Sequence, residues 1–103
     1  MSLKVVQTAV IRAYTTFGCK VYSHSEPRSA LVTPGYPDLT VVAPHAVFWH
    51  EVKARGGRVS PAQEDFRARV ETAGGTVVVG GLAEARAHLE RIGLALPDGM
   101  RAA

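Results

Sequence analysis

The chain carries three stretches with helical spacing of apolar positions and four with strand character. Leu3, Val6, Val10, Tyr14 and Phe17 fall at i, i+3, i+7, i+11 and i+14. That is one stripe of a helix over 3–17, which Gly18 closes. Residues 19–24 (CKVYSH) alternate and are rich in β-formers, predicting a first strand. Residues 25–37 (SEPRSALVTPGYP) hold three prolines and a glycine and read as a loop that ends at Asp38. Two β-rich runs follow, 38–43 and 46–53, with Pro44-His45 as a tight turn between them, and together they predict a hairpin. The connection over 54–59 (ARGGRV) contains a glycine pair. Ser60-Pro61-Ala62-Gln63 then sets Ser at an N-cap, Pro at the first helical position and Gln three after the cap, a capping box. Ala62, Phe66, Val70 and Ala73 supply the buried stripe of that helix, and Gly74-Gly75 end it. Thr76–Val79 (TVVV) is a short apolar strand with an expected place inside a sheet. Leu82, Ala85, Leu89 and Ile92 space a last helix over 82–92.

The order αβββαβα predicts an α/β fold with a mixed central sheet flanked by helices. The runs at 46–53 and 76–79 should be parallel neighbours joined by a right-handed crossover. One domain is expected over 1–93, with 94–103 (LALPDGMRAA) as a tail.

Composition narrows the function classes. A length of 103 residues leaves no room for a two-domain enzyme or a (β/α)₈ barrel. An apolar fraction of 47% and a charged fraction of 20% suit a folded globular chain. A domain of this size buries only somewhat over ~60% of its unfolded surface, so a second chain covering one face is expected. The single cysteine, Cys19, excludes an intrachain disulfide and a multi-Cys zinc site. The four histidines lack metal-ligand spacing, which argues against zinc. A soluble, cytoplasmic protein is expected, because no apolar run reaches the ~20 residues of a membrane span and the start lacks the pattern of a signal peptide. The net charge of +3, with nine Arg against three Lys, tilts the reading toward a phosphate-bearing partner. The glycine pairs form neither G-x-G-x-x-G nor a P-loop, so no nucleotide cofactor is expected.

Asp38, Glu51 and Lys53 carry the candidate chemistry. Glu51 and Lys53 are two apart on a strand and share a sheet face, about 6.6 Å apart along it. Asp38 opens the partner strand; a stagger from twist or a bulge is expected to bring it level with Glu51. Two carboxylates with an ammonium beside them suit a hard divalent cation such as Mg²⁺ and the activation of water against a phosphoryl group. Alternatively, Asp38 is a turn residue and Glu51–Lys53 a solvated ion pair. Gln63 can close the capping box or face the site, and one residue near a helix N-terminus can serve both roles. Arg55 and Arg58 either contact phosphate or sit in a solvated loop. Arg67 and Arg69 read as solvated. Alternation sends His50 to the face opposite Glu51, as packed or exposed structure. Trp49 and Cys19 read as core.

Gly35-Tyr36-Pro37-Asp38-Leu39, then Glu51-Val52-Lys53, then Gly57, Ser60, Pro61, Gln63 and Gly74-Gly75 form a joint pattern. It resembles the virus-type replication-repair nuclease (VRR-Nuc) domain, a branch of the PD-(D/E)XK phosphodiesterases, over roughly residues 3–90. The resemblance implies the αβββαβ nuclease core with a C-terminal helix, and Mg²⁺- or Mn²⁺-dependent cleavage of DNA. It implies Asp38, Glu51 and the Val52 backbone carbonyl as metal ligands, Lys53 serving the attacking water, and Gln63 at the site. Stand-alone members pair as homodimers that resemble Holliday-junction resolvases, which implies structured or branched DNA as substrate. Many members have an acidic residue on the first helix. The matching stretch here, Ser2 to Gln7, has none and leaves Gln7 as a neutral contributor. The rival expectation is a catalytically weak or inactive DNA-binding or assembly module on the same fold.

Overall fold

The structure is a computed structural model that describes residues 2–24 and 33–95. Most of the loop expected over 25–37 and most of the expected tail lie outside the described residues. The elements run α1 (Leu3–Thr16), β1 (Lys20–Ser23), β2 (Leu39–Val42), β3 (Val47–Val52), α2 (Pro61–Thr72), β4 (Val77–Gly80) and α3 (Leu82–Arg91). The four strands form one mixed sheet in the order β1-β2-β3-β4. The first three are an antiparallel meander, and β4 runs parallel to β3 with Val52 level with Gly80.

The β2–β3 register corrects the expected stagger. Leu39 pairs with His50 and Val42 with Val47, without a bulge over four pairs. The Ala43 N–H donates to the Ala46 carbonyl (2.8 Å) across the turn. One step past Leu39–His50, the same register places Asp38 opposite Glu51, with no stagger needed.

Helices α1 and α3 cover one face of the sheet. Val10 and Tyr14 of α1 and Ala85 and Leu89 of α3 are buried against Leu39, Val41, Phe48, Val52 and Val78. The ends of the expected α1 stripe, Leu3 and Phe17, are exposed. Cys19 lies in the same core, and burial raises its thiol pKa.

Helix α2 lies on the other face and has no fully buried residue, against the stripe expected for it. Phe66 and Val70 are half-buried and Ala73 is exposed. Phe66 packs edge-on against Trp49 (centroids 5.9 Å apart) and Tyr36 (5.4 Å), so the helix rests on an aromatic row rather than an aliphatic core. β4 is an edge strand among the described residues, not an interior one. Its apolar run arises because α3 packs on one face and α2 on the other.

Candidate active site

Alternation along β3 sends Phe48, His50 and Val52 toward α1 and α3, and Trp49 and Glu51 toward α2. Glu51 is buried (4% exposed) on the α2 side. The Asp38 carboxyl lies within hydrogen-bonding reach of Glu51, and its Oδ2 accepts from the Val52 N–H at 2.9 Å. Lys53, one residue past the strand, brings Nζ to 3.6 Å from Glu51 Oε2. Gln63 Nε2 donates to that same Oε2 at 2.6 Å. The structure thus brings Asp38, Glu51, Lys53 and Gln63 together.

Local sequence explains each placement. The Ser60 hydroxyl accepts from the Gln63 N–H (3.1 Å), and Gln63 Oε1 accepts from the Ser60 N–H (2.8 Å). The capping box therefore fixes the Gln63 amide with its NH₂ free to reach Glu51, so one side chain performs both of the roles open to it. Asp38 is held by its backbone as well: its carbonyl accepts from the His24 N–H at 2.6 Å. Upstream, Gly35 has φ +89°, a left-handed conformation suited to glycine. A Cβ there would overlap the Ala62 carbonyl. Glycine thus lets the loop before Asp38 seat on the first turn of α2.

The electrostatics are short of positive charge. Burial, and next the charge of Asp38, push the Glu51 carboxyl up to about 7, against a smaller opposing pull from Lys53. Glu51 Oε1 is buried and has no hydrogen-bond partner. Buried carboxylate oxygens are ordinarily satisfied, so a cation fits this atom and the neighbouring Asp38. Among the described residues no group of three or more His, Cys, Asp or Glu side chains is set to hold a metal. Two carboxylates, with backbone carbonyl and water oxygens completing the shell, match the hard, oxygen-seeking character of Mg²⁺ or Mn²⁺.

The remaining expected residues lie around this cluster. Arg55 and Arg58 are exposed in the connection after Lys53, and neither forms an ion pair among the described residues. Arg55 lines a cleft of about 630 Å³ with Lys53, Gly57, Gly81 and Val6. Gln7 is half-buried on α1 and does not line that cleft; its neighbour Val6 does. Arg67 and Arg69 pair with Glu71 and Asp65 across single helical turns.

Behind the sheet lies a network that the sequence reading missed. His50 is fully buried. Its Nε2 lies 2.9 Å from the Gly80 carbonyl and its Nδ1 2.6 Å from the Tyr14 hydroxyl. A carbonyl only accepts, so Nε2 carries the proton, and the Tyr14 O–H donates to Nδ1. Burial lowers the His50 pKa, which keeps this neutral tautomer. The available signal was a histidine in the buried frame of Phe48-x-His50-x-Val52.

No helix among the described residues is long and apolar enough to cross a membrane. No protein-family model matches the sequence, and no curated protein does. A solved structure described as a "VRR_NUC domain" is similar to this chain with a TM-score of 0.70 and 24% identity, over 84% of this chain and 92% of that one. Taken with the meander, the parallel fourth strand and the flanking helices, this likeness establishes that the chain has the fold of a VRR-Nuc domain.

Proposed function

We propose that the chain is a metal-dependent nuclease that hydrolyses DNA phosphodiester bonds at the Asp38–Glu51–Lys53–Gln63 cluster. The observation that carries this reading is the buried, unpartnered Oε1 of Glu51 beside a second carboxylate and an ammonium. Asp38, Glu51 and the Val52 backbone carbonyl would hold Mg²⁺ or Mn²⁺. When bound, such an ion supplies Lewis-acid stabilisation of a phosphoryl oxygen and a water of lowered pKa.

The chain's own groups do the remaining work. The Val52 N–H and the Gln63 amide each hold one oxygen of the two carboxylates, which orients the others. The Lys53 ammonium orients the attacking water and offsets negative charge developing on the phosphoryl group. Arg55 and Arg58 meet flanking phosphates, positioning the strand without reading its sequence. Structured or branched DNA, cut by a homodimer in the manner of a Holliday-junction resolvase and serving DNA repair, is the substrate class the family resemblance supports. Two symmetric sites would address two strands.

Purified protein is expected to cut DNA with Mn²⁺ or Mg²⁺, with cleavage lost in Asp38→Ala and Lys53→Ala. Cleavage that persists in EDTA, or unchanged activity in both variants, would sink the mechanism. The second reading, a DNA-binding or assembly module without turnover, is favoured by Gln7 standing where, by the family resemblance, many members have an acid. It predicts salt-dependent DNA binding, no cleavage, and no heat of Mn²⁺ binding by calorimetry.

A further inference from the structure

We propose that His50 and Tyr14, on the face of the sheet opposite the carboxylates, are positioning residues that fix Lys53 through the carbonyl of Gly80. The proposal rests on the nuclease reading only for its effect on turnover.

Gly80 ends β4, and its carbonyl accepts from two donors. One is the Lys53 N–H at 3.0 Å. The other is His50 Nε2 at 2.9 Å. Beyond this point the chain leaves the sheet, and Gly81 caps α3 with its N–H donating to Glu84 Oε1 at 2.7 Å. Gly81 also packs on Lys53, since a Cβ there would stand 3.4 Å from the Lys53 carbonyl oxygen and 3.2 Å from Val6 Cγ1. The backbone of Lys53 is thus held on its N–H side by Gly80 and approached on its carbonyl side by Gly81. The Lys53 N–H makes the last bond of the β3–β4 ladder, the one that pairs Val52 with Gly80, so this corner sets where its side chain starts.

His50 ties that corner to the rest of the molecule. Its ring is oriented by the Tyr14 hydroxyl and by edge-on packing against the Tyr14 ring, with centroids 5.5 Å apart. Both residues are fully buried. A Leu–Phe pair would fill a similar volume with no polar group to satisfy. What such a pair lacks is a donor for the Gly80 carbonyl. Satisfied buried networks of this kind restrict a site to one arrangement, and small displacements of a reacting group are costly in rate.

The test compares His50→Leu, His50→Gln and Tyr14→Phe in the full chain, with Leu89→Ala as a destabilised core control. The chain has only three lysines, Lys4, Lys20 and Lys53. The Lys53 side-chain resonances in ¹³C,¹⁵N-lysine-labelled protein are therefore assignable by comparison with Lys53→Arg. In metal-free His50→Leu the Lys53 Cε signal should move toward those of Lys4 and Lys20. It should move less in Tyr14→Phe, stay near wild type in His50→Gln, which keeps a donor, and not move in Leu89→Ala. With Mn²⁺, kcat should fall about tenfold or more in His50→Leu, with KM for DNA and the calorimetric Mn²⁺ affinity unchanged. An unmoved Lys53 signal in folded His50→Leu overturns the proposal, as does an equal movement in Leu89→Ala. If His50→Leu does not fold, an unmoved signal in Tyr14→Phe overturns it instead. If wild-type protein cuts no DNA, the nuclease reading fails alone, and the lysine signal still decides this one.

Discussion

On β3, His50 and Glu51 are adjacent and both buried, yet the two faces of the sheet treat them in opposite ways. Toward α1 and α3, His50 has a partner on each ring nitrogen and lies among aliphatic and aromatic core side chains. Toward α2, Glu51 has one oxygen with two partners and the other with none, beneath a helix without a single fully buried residue. The first face supplies packing and satisfied polarity, hence stability. The second holds concentrated negative charge that packing does not relieve, and such imbalance is characteristic of functional sites.

Four measurements would break or sharpen this contrast. Phe48→Ala, on the closed face, should destabilise the chain by about 3–5 kcal/mol in urea unfolding, whereas Phe66→Ala on the α2 side should cost less than half of that. Equal losses would show that the faces do not differ in packing. Gly35→Ala should cost about 1–3 kcal/mol through left-handed strain and displaced backbone. It should also weaken Mn²⁺ binding, whereas Gly18→Ala, which meets open space, should leave Mn²⁺ binding unchanged.

The third measurement uses pH. The folded Glu51 pKa of about 7 lies above its ordinary value of 4.5. The folded state therefore holds the proton more tightly. The stability contributed is full below about 4.5 and is lost as pH rises through about 7. The Tm of metal-free protein should fall more steeply over that window than the Tm of Glu51→Gln. Parallel profiles would remove the charge imbalance from the α2 face. The smallest effect belongs to the exposed Arg67–Glu71 pair, where Arg67→Ala should change stability by less than about 0.5 kcal/mol and leave DNA cleavage intact.

Much of this was legible in the residues. Ser60-Pro61-x-Gln63 marked the start of α2 because caps are local, and the apolar spacings located every element to within a residue or so. The place of β4 at the edge was not legible. A strand covered on both faces shows the same valine run whether or not a further strand lies beside it. The light burial of α2 was hidden for a related reason: the spacing of Phe66 and Val70 shows a face but not what meets it. Asp38 opposite Glu51 follows from the single pair that closes the hairpin, Ala43 with Ala46, and a miscounted turn moves every partner. His50 bonds to a carbonyl thirty residues away, and no local pattern records such a link.

Gln63 has one further consequence. Its amide oxygen closes the start of a helix while its amide nitrogen holds an acid on a neighbouring strand. On the proposed nuclease reading, folding and chemistry therefore make demands on the two ends of one planar group. A glutamate would serve the helix but set a third negative charge beside Glu51, and an alanine would release both partners. Anyone wishing to stiffen this protein without altering that cluster should leave this position alone and begin with the half-buried Val70 of α2.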